Sequence, residues 1–464
     1  MTWLKKQLSN RPDSVFIEYE TKQYTYYDIN EMTQAYAKSL LGENIKYQER
    51  VILCLPSEIE LVEIILACFE IGVVAVPISP MLTVNEKNKI INKVKPKLII
   101  TNWSINKSFN SITIPIIPIE EILHSSRGCA TINNDYVYSL NDTAMIILTS
   151  GTSGVPKPVE LTYHNFEVSC NNWNNFLTFN NFDQFLCCLP LYHIGGVCVL
   201  FRALIYGFSA NLINSFEVEK VLNALLDSKI TIISLVPTML KRIIESDNGI
   251  LALKSLRWIL LGGGPCPEYL LDYCIKHKLN IVKVYGMSET CSGTVALKLL
   301  DEPHNKLYAG RPFPEAKIWI EKGEIHISGP MVMKKYFGEN ETRGTHNSHD
   351  LGRIHNDLVF VDIRRKDLII SGGENINPIE IEEAILSIKE ISDAMVLGVD
   401  DDEWGQRVIA FIVSKGNISK KNINNKLKKL ISSYKIPKEY INLDSIPRNE
   451  IGKINKNTLS KLYY

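Results

Sequence analysis

At 464 residues the chain is longer than one hydrophobic core usually serves, so two or more domains are expected. Its 51 Lys plus Arg balance 51 Asp plus Glu, which leaves no basic footprint for nucleic acid or an anionic membrane surface, so any phosphate must be met locally. The opening MTWLKKQLSNRPDS turns polar before an apolar signal core can form, and the most apolar run, 61–77, is broken by Glu63, Glu70 and Gly72; a cytoplasmic protein without membrane insertion is expected.

In chain order, VILCL at 51–55 reads as a strand and 61–71 as a buried helix. VVAVPI at 73–78, KLIIT at 97–101 and MIILTS at 145–150 are further short β-branched runs. Beyond them come a helix at 218–226, strands TIISLVP (231–237) and RWILLGG (257–263), and a helix at 267–276. This alternation predicts an α/β fold in which helices cover parallel sheets. Near Glu324 the pattern changes to polar-interrupted strands, GEIHISGP and LVFVDI, and then to the charged Arg364-Arg365-Lys366-Asp367. A second alternation follows, with a helix at 379–385, strands DAMVLGV and RVIAFIV, and a Lys/Asn-rich helical end. The expected division is 1–365 and 366–464. All ten cysteines lie between Cys54 and Cys291 without a CxxC pair, as reduced core thiols would.

One loop asks for phosphate. Residues 145–158 read MIILTSGTSGVPKP, an apolar strand followed by Thr149, Ser150, Gly151, Thr152, Ser153, Gly154 and Lys157. Glycines let backbone N–H groups converge, hydroxyls add donors and the lysine adds charge. It is not a Walker A loop, because Pro156 stands where the second glycine would be. A plain Ser/Gly surface turn is the bland reading; four hydroxyls, two glycines and a lysine directly after an apolar strand favour phosphate.

The loop resembles the phosphate-binding signature of the adenylate-forming superfamily, which holds acyl-CoA ligases, luciferases and the adenylation domains of peptide synthetases. Further motifs follow in the same order: PLYHIGG (190–196), LGGGPCP (261–267), VYGMSET (284–290), AGRPFP (309–314), HDLGRI (349–354), RRKDLIISGGENINP (364–378) and IPRNEIGKINK (446–456). The resemblance implies a large N-terminal domain of αβ-layered sheets with a small β-barrel-like part, and a small mobile α+β C-terminal domain. It implies ATP, Mg²⁺ and CoA as ligands. The loop Thr149 to Gly154 and Lys157 would hold the ATP phosphates, with Gly263, Gly264, Tyr285, Gly286 and Ser288 also on the nucleotide and Tyr285 stacked on adenine. Glu289, with Thr152, would hold Mg²⁺. Asp350 and Arg364 would meet the ribose, and Lys366 would be the hinge. Gly372 and Gly373 would line the CoA tunnel, and Lys453 would meet the reacting carboxylate and α-phosphate. Four positions depart from the family pattern: Ser288 replaces the commoner Thr, Ser348-His349 replaces Thr-Gly before Asp350, and Ile363 stands where an acid is usual, with Asp362 one position early. His346, His349 and His355 read as loop histidines rather than a metal site.

Arg202 interrupts the apolar run LPLYHIGGVCVLFRALIYGF at 189–208, and a buried guanidinium is costly unless a carboxylate meets it. From the residues alone, an internal Asp or Glu serves as well as a ligand. The stretch, together with TIISLVPTMLKRI and LRWILLGGG, resembles the o-succinylbenzoate–CoA ligases within the superfamily. That resemblance implies that Arg202 holds the aromatic carboxylate, with His193 and Gly263 in the same acid pocket and His193 gating the adenylate. It implies an acyl-adenylate formed with loss of pyrophosphate and then attacked by the CoA thiol, with Lys453, His193 and Glu289 as the catalytic set and no covalent enzyme nucleophile. Another aryl- or medium-chain acyl-CoA ligase, a carrier-loading adenylation enzyme with a separate carrier, and a silent nucleotide-binding homologue are the alternatives. No nucleic-acid partner is expected, and the oligomeric state stays open, a homodimer included.

Overall fold

A computed structural model describes residues 2–106, 109, 113–125, 139–149, 157–227, 229–364, 367–371, 374–401, 405–416, 418–431, 433–450, 452 and 454–463. The apolar runs become the strands that the sequence suggests. Arg50–Leu53, Val74–Pro77, Leu98–Thr101 and Ile116–Pro118 lie parallel in a seven-stranded sheet, which Thr143–Thr149, Lys157–Thr162 and Lys335–Tyr336 complete. Every residue of Val74–Pro77 and Leu98–Thr101 is buried, as unbroken apolar strands in a covered parallel sheet require. The helix Ile59–Glu70 is apolar around almost its whole circumference and is buried against Tyr26–Gly42. Thr25, Thr83 and Thr162 each start a helix through a capping box, a local contribution of about 1 kcal/mol apiece.

The second sheet has nine strands. Ile281–Met287, Trp258–Leu261, Ile232–Leu235, Gln184–Cys187, Ser209–Leu212 and Val15–Tyr19 run parallel through its centre, with Ser292–Lys298 and Arg311–Pro312 antiparallel at one edge and Lys22–Thr25 at the other. The carboxyl ends of several strands therefore open on one side, the place where α/β sheets bind ligands. Next comes a four-stranded antiparallel sheet of Lys317–Glu321, Glu324–Ser328, Thr345–His355 and Leu358–Arg364. It stands where the small barrel-like part was expected, and Val359 bridges it to Gly310.

The last part is built around a five-stranded sheet, in which Ile391–Asp401 and Gly405–Ser414 form a long hairpin beside Pro378–Leu386. The apolar clusters do not cross from one part to the other: those before it end at Val361 and those within it begin at Ile369. Among the described residues no helix is long and apolar enough to cross a membrane. Nine cysteines are described, all free and eight of them buried, and burial pushes the thiols of Cys54, Cys68 and Cys188 up to about 12.

Candidate active site

The strands Thr143–Thr149 and Lys157–Thr162 pair antiparallel, with Thr149 opposite Lys157. Ser150, Gly151, Thr152, Ser153 and Gly154 themselves lie outside the described residues. At that end of the pair Thr149 Oγ donates to the Lys157 carbonyl at 3.3 Å. The Lys157 ammonium stands 4.8 Å from the centre of the Tyr336 ring, and the Tyr336 hydroxyl donates to Glu289 Oε1 at 2.8 Å. Tyr336 thus links the loop lysine to the acid proposed for Mg²⁺. Sequence reading missed it, since a tyrosine in KKYFG carries no local signal.

Glu289 is nearly buried on the 3₁₀ turn Ser288–Thr290 that ends Ile281–Met287. Tyr285 lies in the same strand and donates its hydroxyl to Asp350 Oδ2 at 2.8 Å, which joins two residues 65 positions apart. Gly286 is required by close approach: a Cβ there would run into the Ser292 carbonyl. Gly263, at φ +82°, and Gly264 follow Trp258–Leu261 on the neighbouring strand, and no protein atom would lie within 4 Å of a Cβ at Gly264. Lys283, two residues before Tyr285, was also unforeseen. Burial lowers its ammonium to about 8, and it donates to the carbonyls of Lys306 and Tyr308, fixing that segment against the strand.

The missing Thr-Gly before Asp350 is resolved by strain. His349 adopts φ +58° itself, its N–H donates to Asn347 Oδ1 at 2.8 Å, and the Asp350 N–H donates to Ser348 Oγ at 3.1 Å. The turn is kept at a cost of about 1 kcal/mol that glycine would not incur. Asp350 pairs in register with Arg364, whose side chain lies outside the described residues. Asp362 accepts from Asn377 Nδ2 at 2.6 Å, so it serves the start of Pro378–Leu386. His346 is held neutral more strongly than usual, first by burial and then by His349 and Lys157, against the opposing pull of Glu289 and Asp350. No cluster of three metal-binding side chains occurs among the described residues. Mg²⁺ accepts that situation, because it prefers one or two carboxylates with substrate phosphates and water.

Arg202 sits in the helix Ile194–Tyr206 and is 2% exposed. Its Nη2 donates to Ser292 Oγ at 2.9 Å, and its guanidinium carbon stands 4.8 Å from the Trp173 ring. Its Nε has no hydrogen-bond partner and, among the described residues, no carboxylate forms an ion pair with it. The internal acid that sequence reading left open is therefore not among them. Cys170, Cys187 and Cys291 feel its charge, so the surroundings are thiol and aromatic. His193 caps the same helix nine residues earlier, about 13 Å away along its axis. His193 thus stands at the start of the helix and Arg202 in its second half.

Lys366, Gly372, Gly373 and Lys453 lie outside the described residues. The neighbour of Lys453 is placed: Gly452, at φ +72°, packs on Val236 and Thr238 just past Ile232–Leu235, and a side chain there would strike the Thr238 hydroxyl. Arg448 donates to the Gly452 carbonyl and grips both oxygens of Asp393 at 3.0 and 2.8 Å.

A family model described as AMP-binding enzyme matches residues 4–337, and one described as AMP-binding enzyme C-terminal domain matches 380–453. The chain belongs to the AMP-binding enzyme family. Among its relatives is a 2-succinylbenzoate–CoA ligase of Oceanobacillus iheyensis, 34% identical over 99% of this chain and 98% of that one. Two structures of the Bacillus subtilis o-succinylbenzoate CoA synthetase are 31% identical. One is a complex with the acyl-adenylate OSB-AMP, with TM-score 0.90 over 98% of this chain and 97% of that one. The other holds ATP and magnesium ion, with TM-score 0.89 over 99% of each. In this AMP-binding enzyme Tyr285 and Asp350 are joined by a hydrogen bond, and Arg202 is a separate buried cation.

Proposed function

We propose that the chain is a 2-succinylbenzoate–CoA ligase of menaquinone biosynthesis, which converts o-succinylbenzoate, ATP and CoA to the CoA thioester, AMP and pyrophosphate through an acyl-adenylate. The observation that carries the choice of acid is Arg202, a buried guanidinium with no described carboxylate partner. Burying an unpaired charge costs several kcal/mol, which a substrate carboxylate would offset. Full-length likeness to 2-succinylbenzoate–CoA ligases supports the same reading.

In this reading Arg202 fixes the aromatic carboxylate and leaves the succinyl carboxylate pointed toward the nucleotide. Tyr285 and Asp350 orient adenosine, and Lys157 meets the phosphates. Lys453 balances charge where the carboxylate attacks the α-phosphate. Bound Mg²⁺, held by Glu289 with Thr152, would neutralise phosphate charge. His193 stands at the N-terminal start of the helix that carries Arg202, where it would govern access to the adenylate. The units 1–365 and 366–464 would turn about Lys366 between the two steps, a division supported by the apolar clusters that end at Val361 and resume at Ile369. That turn would bring Gly372 and Gly373 in place of Lys453 for CoA.

A panel of carboxylic acids scored by ATP-dependent pyrophosphate release tests the reading, with CoA and carrier proteins then compared as acceptors. o-Succinylbenzoate should give the highest kcat/KM, with CoA as acceptor. A medium-chain or monocarboxylic aryl acid that outperforms it would overturn the acid.

A further inference from the structure

We propose that Glu450 is a positioning residue for adenylate formation, whose carboxylate fastens its segment to both large sheets of the N-terminal unit. One oxygen, Oε1, accepts from Ser79 Oγ at 2.7 Å, and the other, Oε2, accepts from the Tyr192 hydroxyl. These donors come from different sheets. Ser79 follows Val74–Pro77 of the seven-stranded sheet, whereas Tyr192 follows Gln184–Cys187 of the nine-stranded one. Glu450 therefore bridges both sheets while standing three residues before Lys453.

The loop's own fastening shows why such an anchor matters. Arg448 ties the loop's base inward, to Asp393 and the Gly452 carbonyl, and Gly452 meets Val236 and Thr238 by shape alone. Lys241 adds a contact at the seam, donating to the Ser392 carbonyl at 2.7 Å. Glu450 supplies paired, charge-assisted bonds at the loop's tip, the kind with the greatest angular demand. Both hydroxyls would be lost together when the small unit turns, so Glu450 acts on the first half-reaction and not the second. The proposal rests on the two-step reading above but not on which acid is activated.

The test uses the full chain and separates the steps. Glu450→Ala should slow single-turnover pyrophosphate release roughly ten- to a hundredfold, the loss expected for charge-assisted hydrogen bonds. KM for acid and ATP should change little, and thioester formation from supplied acyl-adenylate should stay near the parent rate. Tyr192→Phe should slow release in the parent background but cost little more once Glu450 is alanine, since both changes remove one contact. Spin labels on Phe182→Cys and Leu430→Cys, two exposed positions in the two units, read the arrangement without any substrate. Glu450→Ala should shift their distance distribution. Unchanged pyrophosphate release, equal loss in both half-reactions, additive effects of the two substitutions, or an unaltered distance distribution would each overturn the proposal. Failure of every acid to release pyrophosphate would count against the enzymatic reading, and the label distances would still decide the role of Glu450.

Discussion

The surroundings of Arg202 and the seam at Glu450 solve opposite problems with one charged group each. Arg202 is enclosed by Trp173, Ser292 and thiols, and its position is set by a helix packed on all sides. Glu450 lies between separate parts of the chain and is held by two hydroxyls. A buried, preassembled charge would give selectivity in the proposed role, because a matching ligand offsets its burial cost. A hydroxyl-bound carboxylate at a seam gives orientation, because water can replace its partners when the parts separate.

The largest effect that would break this comparison is at Arg202. Arg202→Ala should lower kcat/KM for o-succinylbenzoate at least a hundredfold while KM for ATP moves less than about threefold, since a lost charge-assisted bidentate contact is worth several kcal/mol. Equal changes for both substrates would remove the distinction. A smaller effect asks whether dry burial is costly when no ligand is involved. Glu63 is buried in Ile59–Glu70, and burial, then Glu60, push its carboxyl up to about 8. The folded state keeps a proton that the unfolded state loses above about pH 4.5, so its burden is absent in acid, grows between pH 4.5 and 8, and then levels off. Glu63→Gln should accordingly leave Tm near pH 4.5 almost unchanged and raise stability at pH 8 by roughly 2 to 4 kcal/mol. A gain of the same size at both pH values would assign the effect to packing instead. The smallest effect concerns His349, where His349→Gly should stabilise the fold by about 1 kcal/mol or less and leave KM for ATP near the parent value. A clear rise in that KM would mean the imidazole contacts nucleotide.

Much of this was legible in the sequence, and the reason differs by region. Runs such as VVAVPI and KLIIT announce parallel strands because covered strands must be apolar on both faces, and Val74–Pro77 and Leu98–Thr101 follow within a residue or two. The motifs single out Tyr285, Glu289 and Asp350, and the structure joins Tyr285 to Asp350 and sets Glu289 on the turn that ends the same strand. Their partnerships were not legible. Tyr336, Lys283, Ser79 and Tyr192 act through contacts between segments distant in the chain, and no periodicity records which strand ends will meet. Glu450 was visible only as a letter inside IPRNEIGKINK; its meaning depends on two sheets being brought side by side.

That arrangement makes Glu450 a caliper. On the proposed role, its two oxygens would be satisfied together at the present spacing of the sheet ends that carry Ser79 and Tyr192. By reciprocity, any ligand that favours that spacing would also lengthen the stay of the loop, and the seated loop would in turn tighten the hold on that ligand. The chain would then register the spacing of its own sheets before committing a carboxylate to ATP.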